Sequence, residues 1–416
     1  MTIPANIELA PAVDDPIAGV EQLLDSIAGT LGHPVPPELT SLLRQVPRHL
    51  FLPDRVWLRD GAGGYEQCDR AAQPQRWWHA AYSDATVVTQ LVQDDDGYQR
   101  PTSSASAPGT VVRMLELAEL ADGHTVLEVG AGTGFHAGLL AARLGDDAVT
   151  TVEVDADLAA GARDNLARAG FHPRVEWADG AAGWPSAAPY DRLLATCSVR
   201  TVPAAWLTQV RPGGRIITPW DSAWCPYGTL VLTTRPDGTA DGHFRPGGSY
   251  MPLRRPGALV DPSVDLARDI LRTGDTPTET ATALSPWDIA GEDLNAQFAV
   301  SQLVPGVWHS WDTEPAAEGA AVRLWLADDA TTSWAAIDYD GHQQDRFRAL
   351  QHGPRRLVDE VDAAYSWWTA RGQPPVGHFG VTASPDGGYS VWLESPDHPV
   401  PTPGRATPRP GPPPAP

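Results

Sequence analysis

The sequence contains no lysine, only three methionines and three cysteines, and no long apolar run. A membrane-spanning helix needs about 18 or more consecutive apolar residues, so the lack of such a run argues against a transmembrane protein. Cys68, Cys197 and Cys225 are too few for a dense disulfide framework and lack metal-ligand spacing. The first residues have neither the basic nor the apolar segment of a secretory signal. We therefore expect a soluble protein of the reducing cytoplasm, with no metal site.

The charge balance is strongly acidic and rests on one kind of basic residue. The 416 residues include 52 acidic and 30 basic side chains, which gives a formal net charge of −22. Such a balance argues against nucleic acid or an anionic membrane as a partner, because both favour a basic face. Every basic side chain is an arginine, so an anionic ligand must be held by guanidinium groups, backbone N–H groups or hydroxyls.

Composition and apolar patterning divide the chain into five parts. A flexible arm is expected at 1–20 and a main domain at 21–255. Residues 256–290 are rich in Pro, Gly, Thr and Asp, which favours a linker or covering loops. Residues 291–395 combine tryptophan-bearing strand patterns with one amphipathic helical pattern, which predicts a smaller α+β domain. The proline-rich end, 396–416, is expected to be disordered.

Short apolar runs alternate with helical patterns between residues 108 and 235. Strands are predicted at 125–129, 149–154, 175–177, 192–196, 216–219 and 229–234, and helices at 111–120, 135–144, 158–169 and 204–210. This alternation predicts a mostly parallel, doubly wound α/β sheet. Helical periodicity also covers 18–44, whereas 54–100 is expected to be irregular. In the C-terminal part, strands are predicted at 306–311, 321–326, 333–339, 377–382 and 389–394, and a helix at 355–370.

A glycine motif lies where the first predicted strand of this sheet meets a helix. The spacing is Gly130-x-Gly132-x-Gly134, and Glu128 precedes it on the strand. Glycines let the backbone approach a ligand closely, and the following helix N-terminus offers unpaired N–H groups. A dinucleotide site would carry the longer GxGxxG spacing, whereas the tighter form is the one that S-adenosylmethionine enzymes use. We expect Glu128 to meet the cofactor ammonium directly or through water. The predicted cofactor contacts in this motif are Glu128, Gly130, Ala131, Gly132, Thr133 and Gly134.

Two further acidic residues lie at the ends of the next two predicted strands. Glu153 ends the second strand, 19 residues after Gly134, where an acid hydrogen-bonds ribose hydroxyls. Val154 follows it, and Asp179-Gly180 follows the third strand, where a carboxylate can accept from the adenine amino group. Together these features predict a class I S-adenosylmethionine-dependent methyltransferase with a Rossmann-like sheet, releasing S-adenosylhomocysteine.

Three blocks outside the cofactor motif carry a family resemblance. They are Val46-Pro47-Arg48-His49-Leu50-Phe51-Leu52-Pro53, Ala81-Tyr82-Ser83-Asp84 and Ser104-Ala105-Ser106-Ala107-Pro108. With a closing segment at 245–253, this pattern resembles the protein-L-isoaspartate O-methyltransferase family over residues 40–255. The resemblance implies methyl transfer to the carboxylate of an aspartyl or isoaspartyl residue. The resulting ester is prone to attack by the next backbone nitrogen, which releases methanol and gives a succinimide.

The resemblance also implies roles for the serine block. A carboxylate is already nucleophilic, so its methylation needs in-line positioning and partial removal of water rather than a strong base. Ser106 matches the family's active-site hydroxyl, and we expect it to orient one carboxylate oxygen. Ser104, Ala105 and Tyr82 are expected to contact substrate. The alternative is that Ser106 only caps the following helix.

The chain departs from the family pattern in ways that bear on its substrate. Ser104 stands where the family usually has threonine, Ala105 replaces a larger apolar residue, and about 140 residues precede the proline-rich tail after residue 255. The extension resembles that of a variant subfamily acting on ribosomally synthesised, post-translationally modified peptides such as lanthipeptides and graspetides. The expected partner is then an Asp-containing, crosslinked precursor peptide, and the C-terminal domain would recognise it. The alternative is a general isoaspartyl repair enzyme. A small-molecule methyltransferase and a non-enzymatic scaffold are the other readings.

Because a protein of this charge repels acidic peptides at long range, recognition must rest on local arginines and aromatic surface. The expected contacts at the cavity mouth are Arg48, Arg55, Arg254, Arg255, Trp77, Trp78 and Trp220. For each tryptophan the alternative is a core position. Arg254 and Arg255 are expected to bind substrate without affecting the cofactor. Cys197 follows the fourth strand, and a buried inert thiol is favoured over a catalytic one.

Overall fold

The computed structural model describes residues 16–401 except 62, 94–96, 98, 258–269, 272–274, 316–318 and 343–344. Most of the predicted arm and proline-rich tail lies outside the described residues. Where those two segments are described, they are ordered: a helix begins at Pro16, and Val400 is buried and donates its N–H to Val391. No helix in the described ranges is long and apolar enough to cross a membrane.

The N-terminal region combines helices with an antiparallel four-stranded sheet of order β2-β1-β3-β4. Helices α1 (Pro16–Leu31) and α2 (Pro37–Gln45) confirm the periodicity predicted over 18–44. The expectation that 54–100 is irregular is wrong, because short strands in which apolar and polar residues do not alternate regularly carry a weak sequence signal. This segment holds β1 (Arg55–Arg59), β2 (Tyr65–Asp69), α3 (Pro74–Ala81), β3 (Val87–Gln93) and the start of β4 (Gln99–Ala105).

The central sheet has the predicted α/β architecture. Its helices are α4 (Pro108–Ala118), α5 (Phe135–Leu144), α6 (Ala156–Arg168) and α7 (Ala204–Gln209). Its parallel strands are β5 (Val126–Val129), β6 (Val149–Glu153), β7 (Arg174–Trp177), β8 (Tyr190–Ala195) and β9 (Val210–Pro219). Strand β5 pairs in parallel with both β6 and β8, so the strand order reverses beside it. Ligands of such sheets bind outside the carboxyl ends of the strands at this reversal.

The C-terminal region forms a second antiparallel sheet and then returns to the first. After β10 (Thr229–Thr234) and β11 (Ala240–Arg245), five strands pair in the order β12-β16-β15-β14-β13. They are β12 (Thr278–Thr282), β13 (Val307–Asp312), β14 (Val322–Asp328), β15 (Trp334–Tyr339) and β16 (Phe347–His352). Helices α8 (Pro286–Ala290), α9 (Leu294–Leu303) and α10 (Leu357–Thr369) accompany them.

The predicted domain boundaries are wrong at two places. Strands β17 (Phe379–Ala383) and β18 (Tyr389–Leu393) extend the central sheet, because β17 pairs antiparallel with β11. Residues 291–395 are therefore not one separate domain. The predicted linker 256–290 contains β12 and α8. Pairing β11 with β17 covers a strand edge that would otherwise be exposed.

One buried cluster joins the central sheet to the C-terminal elements. Phe244 of β11 lies with its ring centroid 5.5 Å from that of Trp220 and 4.9 Å from that of Phe298 on α9. Phe298 in turn contacts Phe379 of β17, with ring centroids 5.5 Å apart. Because these aromatic side chains are all buried, the two regions share a core rather than a peripheral contact.

Candidate active site

A cavity of about 1260 Å³ lies where the strand order of the central sheet reverses. Its wall combines the glycine motif, the serine block, the segment 249–254 and side chains from β1, β2 and α3. The predicted residues in this wall are Ser104, Ala105, Ser106, Gly130, Ala131, Gly132, Thr133, Glu153, Val154, Gly180 and Arg254. The tertiary structure thus brings most of the predicted cofactor contacts and the serine block to one place.

The glycine motif has the backbone that its sequence predicts. Gly130, Gly132 and Gly134 have φ values of 98°, 51° and 87°, a region that favours glycine. Gly134 lies outside the cavity wall and packs against α6. A Cβ atom there would lie 3.2 Å from the carbonyl oxygen of Ala162. Its role is therefore close packing of α5 against α6, and Gly130 likewise packs closely, since a Cβ atom there would lie 2.5 Å from Oγ1 of Thr196.

Glu153 lies in the cavity wall at the end of β6, as the ribose prediction requires. Its Oε2 accepts from the backbone N–H of Gly132 at 2.9 Å, and its Oε1 accepts from that of Asp155 at 3.2 Å. Burial raises the pKa of Glu153, while these N–H groups and the Arg254 guanidinium oppose the rise. Glu153 therefore also holds the glycine loop against β6.

Glu128 does not occupy the position predicted for it. Its side chain is fully buried, and it is not among the described residues that line the cavity. One carboxylate oxygen accepts from the Thr151 hydroxyl and the other lies 2.6 Å from Nδ1 of His136. Both oxygens are engaged beneath the loop, so this position does not fit a direct contact with the cofactor ammonium; a contact through water stays a prediction.

His136 takes the place in the cavity wall that was predicted for Glu128. Its Nε2 is buried and has no hydrogen-bond partner within the described part of the chain. The polar amino-acid portion of S-adenosylmethionine fits such an atom, because Nε2 accepts from an ammonium when neutral and donates to a carboxylate when protonated. Sequence analysis missed His136, although it lies two residues after Gly134 on the first turn of α5.

Asp179 begins a short 3₁₀ turn rather than facing the cavity. Its Oδ1 accepts from the Ala181 N–H at 2.9 Å, and the side chain is not part of the described cavity wall. Gly180 does line the cavity, and a Cβ atom there would lie 2.6 Å from Cγ1 of Val129. The contact of Asp179 with adenine therefore stays a prediction.

Ser106 lies in the two-residue link between β4 and α4 and faces the cavity. The N-cap of α4 is Ala107, with no side-chain capping bond. The alternative in which Ser106 caps this helix is therefore excluded. Ser104 and Ala105 precede it in the same wall.

Arg48 is not at the cavity mouth but in the core, with 1% of its surface exposed. Its guanidinium donates to the carbonyl oxygens of Ala80, Ala81, Ser83, Ala85, Ala105 and Ser106 at 2.9–3.4 Å. Burial lowers the pKa of Arg48 to about 10, and Asp84 opposes this shift. The side chain thus ties the serine block to the segment after α3, and its predicted contact with substrate is wrong.

The predicted aromatic contacts with substrate pack in or against the core, and Trp78 is half-buried. Tyr82 is buried, its hydroxyl lies 2.6 Å from Nδ1 of His49, and its ring stacks on Trp78. Trp77 and Trp220 are also buried, and none of these four rings belongs to the described cavity wall. The assignment of Tyr82 to substrate is therefore wrong, because both its ring and its hydroxyl are satisfied in the core.

Of the other arginines predicted to contact substrate, one lines the cavity and two do not. Arg254 lines the cavity, with Nη2 3.9 Å from Glu153 Oε1 and 3.9 Å from Asp155 Oδ2. This places Arg254 on the cofactor side, so the expectation that it acts on substrate alone does not fit its position. Arg55 and Arg255 are exposed, and neither is part of the described wall.

The cavity wall also contains polar residues that sequence analysis did not single out. Asp221, at the end of β9, is buried and has Oδ2 3.6 Å from Nε of Arg200. Burial raises the pKa of Asp221, and Arg200 opposes the rise.

Cys197 also lines the cavity. Burial raises the pKa of its thiol, which supports the prediction of an inert thiol. The described residues contain no cluster of three or more His, Cys, Asp or Glu side chains suited to a metal.

Comparisons with known proteins agree with this geometry. The family model for protein-L-isoaspartate(D-aspartate) O-methyltransferase (PCMT) matches residues 62–235. The protein-L-isoaspartate O-methyltransferase of Methanopyrus kandleri is 34% identical over 236 residues, which are 56% of this chain and 90% of the relative. That of Methanosarcina mazei is 32% identical over 215 residues, 51% of this chain and 74% of the relative. The chain belongs to the protein-L-isoaspartate O-methyltransferase family.

Family membership confirms the predicted enzyme class, a class I carboxyl O-methyltransferase, and S-adenosylmethionine as its methyl donor. A solved protein-L-isoaspartate O-methyltransferase has a TM-score of 0.49 and 19% identity, covering 90% of this chain and all of that one. The family match ends at residue 235, so the five-stranded sheet and the strands that follow it lie beyond it.

His136 is expected to contribute to cofactor affinity through its Nε2. In this methyltransferase, His136→Leu leaves a polar group of the cofactor unpaired in a buried site, which costs about 1–3 kcal/mol. We therefore expect S-adenosylhomocysteine to bind about tenfold more weakly by calorimetry. His172→Leu, at an exposed position, is the matched control. Unchanged affinity in His136→Leu would show that Nε2 does not face the cofactor.

Proposed function

We propose that the protein methylates the free carboxyl group of L-isoaspartyl residues in peptides and proteins. The observation that carries this proposal is the position of Ser106, which lines the cavity and caps no helix. The relatives matched are named protein-L-isoaspartate O-methyltransferases, and general repair of damaged residues fits them best.

The residues of the cavity supply positioning rather than acid or base catalysis. S-adenosylmethionine supplies, when bound, a methyl group on a positively charged sulfur. The acceptor carboxylate is ionised at neutral pH and needs no base. We infer that the Ser106 hydroxyl donates to one carboxylate oxygen and so turns the other toward the methyl group. Arg48 holds the carbonyl of Ser106 at 3.0 Å, which fixes the backbone that carries the hydroxyl.

The finer prediction, an Asp residue of a modified ribosomal peptide, rests on the C-terminal extension alone. Its support is that the five-stranded sheet and its helices follow the segment matched by the family. The names of the matched relatives mention no such peptide. Repair is therefore the main proposal, and methylation of a modified peptide is the second.

Methyl transfer to isoaspartyl peptides and to their aspartyl twins tests the proposal. Sequence-tolerant transfer to the isoaspartyl members only is the expected result. Ser106→Ala should lower kcat about tenfold or more, because a hydrogen bond to a charged group contributes about 1.5–3 kcal/mol. Its affinity for S-adenosylhomocysteine should not change.

The exposed Ser41→Ala, on α2, is the matched control for the loss of a hydroxyl. A Ser106→Ala enzyme with wild-type kcat would contradict the role of this hydroxyl. If neither peptide set is methylated while cofactor binding is intact, the repair proposal fails and the modified peptide takes its place.

A further inference from the structure

The arginines on the cofactor side of the cavity are paired with carboxylates of the chain. Arg254 lies between Glu153 and Asp155, at 3.9 Å from each carboxylate. Asp221 lies 3.6 Å from Arg200. Each of these guanidinium groups is thus engaged by carboxylates of the chain, because Arg200 also lies 3.2 Å from Asp329, and neither is free to attract an anionic ligand.

The wall formed by β1, β2 and α3 differs, because one of its two arginines has no acidic partner. Arg76 on α3 forms an ion pair with Glu66 at 2.8 Å. Arg59 is exposed at the end of β1 and lines the cavity. Among the described residues, no carboxylate lies within ion-pair distance of Arg59. It is thus an uncompensated cation at the cavity in a protein of net charge −22.

The hairpin holds Arg59 in place without neutralising it. Arg59 and Tyr65 are register partners across β1 and β2. The guanidinium carbon of Arg59 lies 5.3 Å from the centroid of the Tyr65 ring, which also lines the cavity. A cation–π contact at this distance holds the guanidinium near the ring without supplying an opposite charge, so its N–H donors can still meet a carboxylate.

We propose that Arg59, in cation–π contact with Tyr65, binds a second carboxylate of the acceptor peptide, apart from the one that is methylated. This inference rests on the proposed function and deepens it, because it names the acceptor as an acidic peptide. An L-isoaspartyl residue within a chain has one free carboxylate, so the second comes from a neighbouring acidic side chain or from the peptide C-terminus. A guanidinium edge matches either group in the same bidentate manner.

The net charge of the protein makes this local cation decisive. At physiological ionic strength, charges are screened over about 8 Å, so the overall repulsion of an acidic peptide weakens at long range. Arg59 lines the cavity, so it lies close enough to a bound acidic peptide to offset the remaining repulsion. The preference for an acidic peptide should therefore fall as salt is added.

The test compares kcat/KM for isoaspartyl peptides that differ only in charge near the acceptor. One arm replaces a flanking Gln by Glu in a C-terminally amidated peptide. The other keeps the flank neutral and compares a free with an amidated C-terminus. We expect about fivefold higher kcat/KM for the acidic member of at least one pair, as for a favourable exposed ion pair. Which arm responds identifies the source of the carboxylate.

Arg59→Gln should reduce this ratio to about one, and Arg59→Lys, which keeps the charge without the planar edge, should leave an intermediate ratio. Arg55→Gln, on the same strand but outside the described cavity wall, should leave it unchanged. S-adenosylhomocysteine binding by each variant verifies that it is folded.

Two results would overturn the subsite: a wild-type enzyme that methylates all peptides without charge preference, or a preference that survives in Arg59→Gln. Failure of the wild type to methylate any isoaspartyl peptide would instead overturn the proposed function, and the subsite with it. The two failures are therefore distinguishable.

Discussion

Truncation of the chain after residue 255 is expected to give protein that does not fold stably. The truncation removes β17 and leaves the edge of β11 unpaired, from Ala240 to His243. It also removes Phe298, which packs on Phe244, and Tyr389, which stacks on Trp220, and so exposes Phe244 and Trp220. Exposing two large buried side chains costs about 3–6 kcal/mol. That is a large part of the about 5–15 kcal/mol that stabilises a typical protein. Soluble yield, thermal unfolding and S-adenosylhomocysteine binding measure the effect.

A chain that ends at residue 401 is the control, because it keeps β17, β18 and the buried Val400. We expect it to unfold at the temperature of the full chain. If the fragment 1–255 were instead soluble, cooperatively folded and able to bind the cofactor, the shared core would be dispensable. The C-terminal part would then be an accessory domain as the sequence predicts.

Arg48→Ala is expected to be the most damaging point substitution near the active site. It leaves six carbonyl oxygens without their donor, several of them buried. Leaving a buried polar group without its hydrogen bond costs about 1–3 kcal/mol, and several groups are affected here, so the unfolding temperature should fall by several degrees. Because Ala105 and Ser106 lose their anchor, kcat should fall as well.

Arg48→Lys separates the two effects. A lysine retains the charge but cannot reach carbonyls on both sides of a planar fork. We expect partial recovery of stability and little recovery of kcat, measured by thermal unfolding and by methyl transfer to an isoaspartyl peptide. The exposed Arg55→Ala is the control for loss of an arginine. Wild-type kcat in a destabilised Arg48→Ala enzyme would show that Arg48 has no positioning role.

The parallel core of the fold was predictable because its strands are buried on both faces and read as apolar runs. Val126–Val129 and Val149–Glu153 are fully buried, and helices with apolar faces separate them. The four-stranded sheet was missed because β2 and β4 are polar, and the apolar runs of β1 and β3 are short and lie among polar segments. Strand β4 reads QRPTSSA, which has neither apolar alternation nor β-branched enrichment.

The cofactor loop was predictable for a different reason, since positive φ angles at Gly130, Gly132 and Gly134 demand glycine locally. The directions in which the Glu128 and Tyr82 side chains point were not predictable. Glu128 points beneath the loop to His136, and Tyr82 points to His49. Neither direction follows from sequence spacing, because each depends on a partner brought close by folding.

By itself, the sequence determined the methyltransferase sheet, the glycine turn and the serine block, because each depends on local backbone geometry or on apolar periodicity. Only the tertiary structure decided which charged side chains are buried or paired within the chain and which face the cavity. Arg48 and Arg59 lie 11 positions apart, and because both are arginines, composition does not distinguish them. One is buried among carbonyl oxygens and the other lines the cavity beside Tyr65. Long-range contacts, which no local pattern encodes, separate a structural arginine from a candidate binding one.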